Sequence, residues 1–353
     1  MSLFHRRSHA NAPARGSVAA AVARDLLAAS MLAVIATLLA GCGRGPATAR
    51  EAEPVTIALQ SGPRGGLVLL AGEKRYFAQQ GLEVKFKPMA SGTAAIDAVH
   101  SGEADLALST ETPFVFAVLN KKNVRLLARV YRSRSFVSIV ARRDRGIERG
   151  SDLAGKRIGF VSDRSADFFF ELYLELQGIK PGQFTRVSLA EDQVENALIG
   201  GEVDAVAAWH PYTTRLMARL GPQAIAFNDP PIYQMHFDLI ARPEFAGSRP
   251  EAARKFVMAL QTALDFLRDH PEEAQRLIVQ ASKEDPQLVA SIFRVNDYSL
   301  TLDESLLAGL EDHARWALAK KITAETRLPN FLDFIDARPL KSAQPEAVSI
   351  LLP

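Results

Sequence analysis

The 353-residue chain contains a single cysteine, Cys42, and it lacks several signatures of catalysis. One thiol excludes an internal disulfide, a CxxC redox pair and a cysteine-based zinc site. No GxSxG, HExxH, P-loop or GxGxxG motif is present, and no block of like charge indicates nucleic acid binding. These absences predict a protein without cofactor or metal and disfavour an enzyme.

The first 41 residues differ in charge and hydropathy from the rest of the chain. They hold four arginines and one aspartate, so the formal net charge of +2 becomes −1 without them. Residues 26–40 form an apolar run that is typical of a signal peptide and shorter than a membrane span requires. The run ends in Leu39-Ala40-Gly41-Cys42, which resembles a bacterial lipobox.

This pattern predicts a lipoprotein signal peptide over 1–41, lipidation of Cys42 and a small, polar tether over 42–54. The protein would then be exported and anchored by lipid to a bacterial membrane, on the periplasmic side. A plain secretory signal followed by an unmodified cysteine is the alternative.

Residues 90–114 predict a loop, a short helix, a turn, a buried strand and a second loop. Ser91 and Thr93 are candidate N-caps, and Gly102 suits the left-handed residue that ends a helix. Thr112 is predicted to cap the next helix, with Pro113 as its first residue. Two helix N-termini would then lie near one sheet edge, which favours a small anionic or polar ligand.

The same pattern returns 99 residues later along the chain. The matching pairs are Ala98 and Ala197, Gly102 and Gly201, Glu103 and Glu202, and Asp105 and Asp204. In this register Thr110 corresponds to Trp209, and both follow directly on a predicted strand. Since open α/β sheets bind ligands at the carboxyl ends of strands, the repeat favours two related lobes that face one ligand.

Helical and extended segments alternate up to about residue 241, and helices predominate beyond it. One helix is predicted over 67–79, an extended crossover over 135–141 and a return strand over 235–241. This order indicates an α/β protein with a helical C-terminal cover.

Six segments carry a family resemblance: the Ser-Gly loop after the first strand, ASGTAAIDAVHSGEADLAL, DLAGKRIGF, SADFF, GGEVDAVAAWHPY and EAARKFVMAL. Their order and spacing resemble the type II periplasmic substrate-binding proteins of ABC importers, in the nitrate/sulfonate/taurine and thiamine-precursor group. The resemblance implies a two-lobed fold with mixed sheets flanked by helices. Lobe 1 would comprise 55–141 and 237–353, and lobe 2 would comprise 142–236, with hinge closure on the ligand.

The resemblance also implies a solute-binding role without chemistry, with an ABC permease and an ATPase as partners. Candidate ligand-binding residues lie at the carboxyl ends of predicted strands: Ser61, Gly62, Ser91, Gly92, Thr93, Ser109, Thr110, Ser162, Ser165 and Trp209. The chain departs from the family at residues 162–167, where Ser-Asp-Arg-Ser-Ala-Asp replaces the more usual Gly-Thr-Ser-Ala-Asp. This change puts a nitrate or sulfonate assignment in doubt.

Several charged residues allow two interpretations. Arg64 and Arg164 are either anion clamps or solvated surface residues, and Glu111 either meets an amine or favours the helix N-terminus behind it. His236 lies on an apolar segment and is interpreted as structural. Two functional alternatives stay open, a ligand-sensing lipoprotein and an enzyme similar to the yeast pyrimidine synthases, although those synthases use a cysteine motif that this chain lacks.

Overall fold

The computed structural model describes residues 51–162, 165–228 and 232–351. The predicted signal peptide, Cys42, and Asp163 and Arg164 of the departing loop lie outside these residues. None of the helices within the described ranges has the length and apolarity needed to cross a membrane.

Within the described residues the chain forms eleven strands. They are β1 (Glu53–Gln60), β2 (Leu82–Met89), β3 (Leu106–Thr110), β4 (Arg125–Ser133), β5 (Val137–Arg142), β6 (Arg157–Phe160), β7 (Thr185–Ser188), β8 (Ala205–Trp209), β9 (Ala224–Phe227), β10 (Met235–Ala241) and β11 (Asn296–Thr301). The α-helices of the described residues are α1 (Gly66–Glu73), α2 (Tyr76–Gln79), α3 (Gly92–His100), α4 (Glu111–Leu119), α5 (Ser165–Leu176), α6 (Val194–Gly200), α7 (Tyr212–Leu220), α8 (Pro243–Ser248), α9 (Pro250–Asp269), α10 (Pro271–Ser282), α11 (Pro286–Val295), α12 (Glu304–Lys320) and α13 (Arg338–Ala343).

The strands form two mixed sheets. The first has six strands in the order β11-β4-β10-β3-β1-β2, and the second has five in the order β7-β6-β8-β5-β9. In each sheet one central strand has a parallel neighbour on one side and an antiparallel neighbour on the other: β3 lies between β1 and β10, and β8 lies between β6 and β5. Strand β8 is buried along its whole length, which explains its continuous apolar sequence. Strand β10 is equally buried, although it carries His236 and Asp238, which bond each other.

The repeat predicted from the sequence is present in the structure. Helices α3 and α6 are each followed by a glycine with positive φ, +82° at Gly102 and +78° at Gly201. Each chain segment then turns directly into a central strand, β3 or β8. Thr110 and Trp209 are the last residues of these two strands, so their predicted correspondence holds in three dimensions.

A buried or half-buried aspartate fixes each unit to its parallel neighbour. The backbone N–H of Thr56 donates to Asp105 Oδ2 (3.0 Å), and that of Arg157 donates to Asp204 Oδ2 (2.9 Å). Asp105 also pairs with Arg242 (3.0 Å), and Asp204 pairs with the guanidinium of Arg157 (2.8 Å). Burial alone would raise the pKa of Asp204, but the hydrogen bonds from Arg157 lower it overall.

Four local predictions differ from the structure. The helix predicted over 67–79 is interrupted at Arg75, which has φ +57° and separates α1 from α2. Thr110, and not Thr112, is the N-cap residue of α4. The segment predicted as a crossover over 135–141 contains β5, an inner strand of the second sheet, and the sequence analysis gave no strand at β11.

We predict that Asp204→Asn lowers the free energy of unfolding by about 1.5–3 kcal/mol, the usual value of hydrogen bonds to a charged group. Asp105→Asn should have an effect of similar size, because Asp105 makes equivalent contacts to a backbone N–H and an arginine. Urea unfolding measures both changes. The control is Glu202→Gln, the same loss of charge at an exposed position two residues earlier, which should change stability by less than about 0.5 kcal/mol. An equal effect of Asp204→Asn and the control would contradict the anchoring role.

Candidate functional site

A cavity of about 50 Å³ lies between the carboxyl ends of the two central strands. Residues from both sheets line it: Gln60, Arg64, Ser91, Gly92, Leu108, Thr110, Thr112, Pro113, Phe136, Ser165, Glu191, Trp209 and Phe237. A buried water needs roughly 10–15 Å³ of such space, so the cavity has room for a solute of a few non-hydrogen atoms.

The first sheet contributes the end of β3 and the start of α3. The Ser91 side chain accepts a hydrogen bond from the Ala94 backbone N–H (3.1 Å), and the helix therefore begins at the cavity wall. A side chain at Gly92 would collide with Ser109, since a Cβ there would lie 2.4 Å from Ser109 Oγ. The close approach of backbone to strand thus requires glycine at this position, and it places a positive helix end beside the cavity.

Arg64 supplies the cation of the cavity wall. It lies on a short 3₁₀ turn, Pro63–Gly65, after β1, and its guanidinium donates to Gln60 Oε1 (2.6 Å). Gln60 in turn donates to the Ala90 carbonyl (3.2 Å), which fixes the pair against the start of α3. Burial lowers the pKa of Arg64, and nearby groups that include Glu191 oppose that shift. No carboxylate of the described residues lies within 4.0 Å of this guanidinium.

The second sheet contributes Trp209 from β8, Ser165 from the start of α5 and Glu191 from the 3₁₀ turn Glu191–Gln193 before α6. Trp209 is 7% exposed and meets the Tyr212 ring edge-on, with centroids 5.9 Å apart. The Tyr212 hydroxyl donates to Glu191 Oε1 (3.2 Å). Burial, followed by the charge of Glu191, raises the pKa of Tyr212 to about 12.

Two phenylalanines complete the apolar wall at the points where the chain passes between the sheets. Phe136 directly precedes β5, and Phe237 lies near the start of β10. Their ring centroids are 6.3 Å apart. The cavity therefore combines an apolar wall with hydroxyls, two helix N-termini and two charged side chains.

The structure brings together five of the ten predicted ligand-binding residues: Ser91, Gly92, Thr110, Ser165 and Trp209. The other five lie outside the lining. Ser61 is exposed, Gly62 lies beside Glu284, Thr93 is half-buried on α3, Ser109 is fully buried behind Gly92, and Ser162 bonds Ser188 (3.2 Å).

Sequence reasoning missed Gln60, Glu191, Phe136 and Phe237 as lining residues. Gln60 and Phe237 had a usable signal, because Gln60 begins the loop after a predicted strand and Phe237 lies within a predicted crossing. Glu191 had none, since its position depends on how the two sheets face each other.

Ser162 lies instead in a wider groove of about 900 Å³ between α5 and α12. Several polar groups of this groove already have partners. Glu171 accepts hydrogen bonds from Arg186 (2.9 Å) and Trp316 Nε1 (3.1 Å) and pairs with Lys320 (2.6 Å). The smaller cavity is the better candidate site, because its arginine has no carboxylate partner in the described chain.

A buried polar cluster lies behind the cavity. Glu111 is fully buried in the first turn of α4 and accepts hydrogen bonds from the Tyr233 hydroxyl and from the His236 backbone N–H (2.9 Å). His313 Nε2 of α12 lies 3.6 Å from Glu111 Oε1. Glu111 therefore faces the interior and joins α4, α12 and the segment before β10. Neither interpretation of Glu111 from the sequence described this role.

His236 is structural, as its apolar surroundings indicated. Its Nδ1 lies 2.9 Å from both carboxylate oxygens of the fully buried Asp238. Burial alone would lower the pKa of His236, but the charges of Asp238 and Glu111 raise it overall.

The sequence pattern of the family described as NMT1/THI5 like matches residues 65–274, more than half of the chain. The chain belongs to the NMT1/THI5-like family. This match confirms the family resemblance inferred from the sequence.

Proteins similar to this chain include some named as binding proteins and some named as synthases. The Bacillus subtilis protein named "Putative aliphatic sulfonates-binding protein" is 23% identical over 274 residues, which cover 75% of this chain and 81% of the relative. The Saccharomyces cerevisiae protein named 4-amino-5-hydroxymethyl-2-methylpyrimidine phosphate synthase THI13 is 24% identical over 221 residues, covering 59% of this chain and 64% of the relative.

A solved structure identifies the fold. The periplasmic aliphatic sulphonate binding protein SsuA from Escherichia coli matches this NMT1/THI5-like chain with a TM-score of 0.69 and 17% identity, over 78% of this chain and 89% of that chain. The predicted fold class, a periplasmic-binding-protein fold with two mixed sheets flanked by helices, is thereby confirmed.

His210, which follows Trp209, provides a test of the burial around the cavity. Burial, together with the charge of Arg64, lowers the pKa of His210 to about 4. Its ring Nδ1 lies 2.5 Å from Thr214 Oγ1. The pKa in the unfolded chain is about 6.5, so the unfolded state takes up the proton first as pH falls. The contribution of neutral, buried His210 to the free energy of unfolding is therefore fully present above pH 6.5 and is lost as pH falls towards 4.

We predict that protonation of His210 in the unfolded chain lowers the free energy of unfolding by about 2 kcal/mol at pH 5 relative to pH 7. Urea unfolding of the parent and of His210→Gln at both pH values measures this contribution as the difference between their pH dependences. The same acid-induced loss in the parent and in His210→Gln would show that His210 does not titrate as described.

Proposed function

We propose that this protein captures a small organic solute with an anionic group in the cavity and delivers it to an ABC importer. The single observation that carries the proposal is Arg64, a cation without a carboxylate partner among the described residues, in a cavity walled by Trp209 and two phenylalanines. The helix starts at Ser91 and Ser165 add favourable dipoles for the anion. The name of the Bacillus subtilis relative supports a sulfonate as the anionic group.

Binding would involve no chemistry. The cavity's carboxylate, Glu191, accepts a hydrogen bond from the Tyr212 hydroxyl, and burial raises the pKa of that phenol to about 12. A nucleophile needs an adjacent base to be activated. The described lining therefore supports a binding protein over the synthase chemistry named for the yeast relative.

The proposed binding lobes are 55–141 with 237–353, and 142–236. The strand distribution supports most of this division, since β1 to β4, β10 and β11 form one sheet and β6 to β9 lie in the other. Strand β5 (Val137–Arg142) also belongs to the second sheet, so the first boundary moves to before residue 137. On this division the chain would cross between the lobes twice, between β4 and β5 and between β9 and β10. Hinge closure about these two segments would enclose the solute.

Export and lipid anchoring at Cys42 complete the proposal. The support comes from the sequence, where an apolar run leads directly into Leu39-Ala40-Gly41-Cys42. Acylation at two points of one cysteine gives stable membrane attachment, since a single chain holds a protein only weakly.

We predict that ethanesulfonate or 2-aminoethanesulfonate raises the thermal midpoint of the soluble domain, since binding to the folded state stabilises it. Arg64→Gln should weaken calorimetric affinity by roughly 10-fold to 100-fold, because a charged hydrogen-bond donor is lost. The control is Arg276→Gln, at an exposed position of α10, which should leave affinity unchanged. No binding to any member of a panel of sulfonates, nitrate and pyrimidines, or full affinity in a folded Arg64→Gln variant, would overturn the proposal.

We predict that Cys42→Ala leaves an unprocessed precursor that takes up no labelled fatty acid. The physical reason is that the thiol is the attachment point for the first lipid. Metabolic labelling followed by membrane fractionation measures the effect, with Ser61→Ala, an exposed position beyond the tether, as the control. Continued labelling of the Cys42→Ala protein would exclude the lipid anchor.

A further inference from the structure

Two side chains of opposite charge line the candidate cavity. Arg64 follows β1 of the first sheet, and Glu191 precedes α6 of the second sheet. Neither has an oppositely charged side chain within 4.0 Å in the part of the chain that the structure describes. The two charges thus come from different sheets and meet at one cavity without forming an ion pair.

The two charges share one electrostatic environment without touching. The charge of Glu191 partly offsets the burial that lowers the pKa of Arg64, and the same carboxylate contributes to the raised pKa of Tyr212. A purely anionic solute bound to Arg64 would bring like charge towards Glu191 in a partly desolvated space. Like charges held close at such a site cost binding free energy and exclude the wrong ligand.

We propose that the cavity selects a dipolar solute, in which an anionic head binds Arg64 and an ammonium group a few bonds away binds Glu191. This inference rests on the proposed function and specifies its substrate class as an amino sulfonate or a short amino acid. Glu191 is then the residue that distinguishes these solutes from simple organic anions.

The size and walls of the cavity agree with this solute. About 50 Å³ accommodates a short linker between the two head groups and no long chain. Trp209, Phe136 and Phe237 cover the linker, and the indole face is also a favourable surface for an ammonium group. An ammonium group satisfied by Glu191 and an anion satisfied by Arg64 leave no charge of the solute unpaired.

A second carboxylate, Glu284, offers a matched control. It also influences Arg64, and its Oε1 lies 3.4 Å from the position of a Cβ on Gly62. Glu284 is not among the lining residues. Glu284→Gln therefore removes a nearby negative charge without removing a group from the cavity wall.

The test uses two pairs of probes that differ only in an ammonium or a hydroxyl group. These are 2-aminoethanesulfonate with 2-hydroxyethanesulfonate, and 3-aminopropanoate with 3-hydroxypropanoate. We expect the parent to bind the amino member of at least one pair roughly 10-fold more tightly by calorimetry, the value of one charged hydrogen bond. Glu191→Gln should remove this preference, whereas Glu191→Asp and Glu284→Gln should keep it.

Equal affinity of the parent for both members of each pair would overturn the inference and leave the proposed function in place. A preference for the amino probe that survives in a folded Glu191→Gln variant would also overturn the inference. The same holds if other solutes of the wider panel bind but no member of the two probe pairs does. Failure of every solute in the panel to bind would instead overturn the proposed function itself.

Discussion

The placement of β3 and β8 between one parallel and one antiparallel neighbour determines most of the architecture. A parallel neighbour requires a crossover helix, and an antiparallel neighbour must arrive from the opposite direction. In this chain the antiparallel neighbours, β10 and β5, are the strands that follow the passages between the sheets. The carboxyl ends of both central strands therefore face the same space as those passages, and the cavity forms there.

The aspartates at the start of the two central strands keep this arrangement in register. Asp105 and Asp204 each bind a backbone N–H of the parallel neighbour, at the edge of the sheet opposite the cavity. A shift of either strand by one residue would turn its buried side chains to the other face. The polar anchor at one end of the strand thus fixes the position of Thr110 or Trp209 at the other end.

The charged residues around the site fall into two groups, one buried behind the cavity and one lining it. Glu111 and its partners are buried and mutually bonded, so they stabilise one geometry behind the cavity. Arg64 and Glu191 face the open space and lack charged partners in the described residues. Glu111 and its partners position the segment before β10, whereas Arg64 and Glu191 present their charges to the cavity.

The sequence by itself determined the local units of this protein. Local backbone preferences and the periodicity of buried residues account for three features. These are the helix–glycine–aspartate–strand repeat, the N-cap at Ser91 and the equivalent positions of Thr110 and Trp209 in the two repeats. Five of the ten expected ligand-binding residues line the cavity because strand ends converge in any fold of this type. Only the tertiary structure decided that Glu191 lines the same cavity as Arg64, that Glu111 points inward to Tyr233 and that β5 belongs to the second sheet. The physical reason is that such contacts join residues roughly 60 to 130 positions apart, and no local preference encodes which of two sheets they approach.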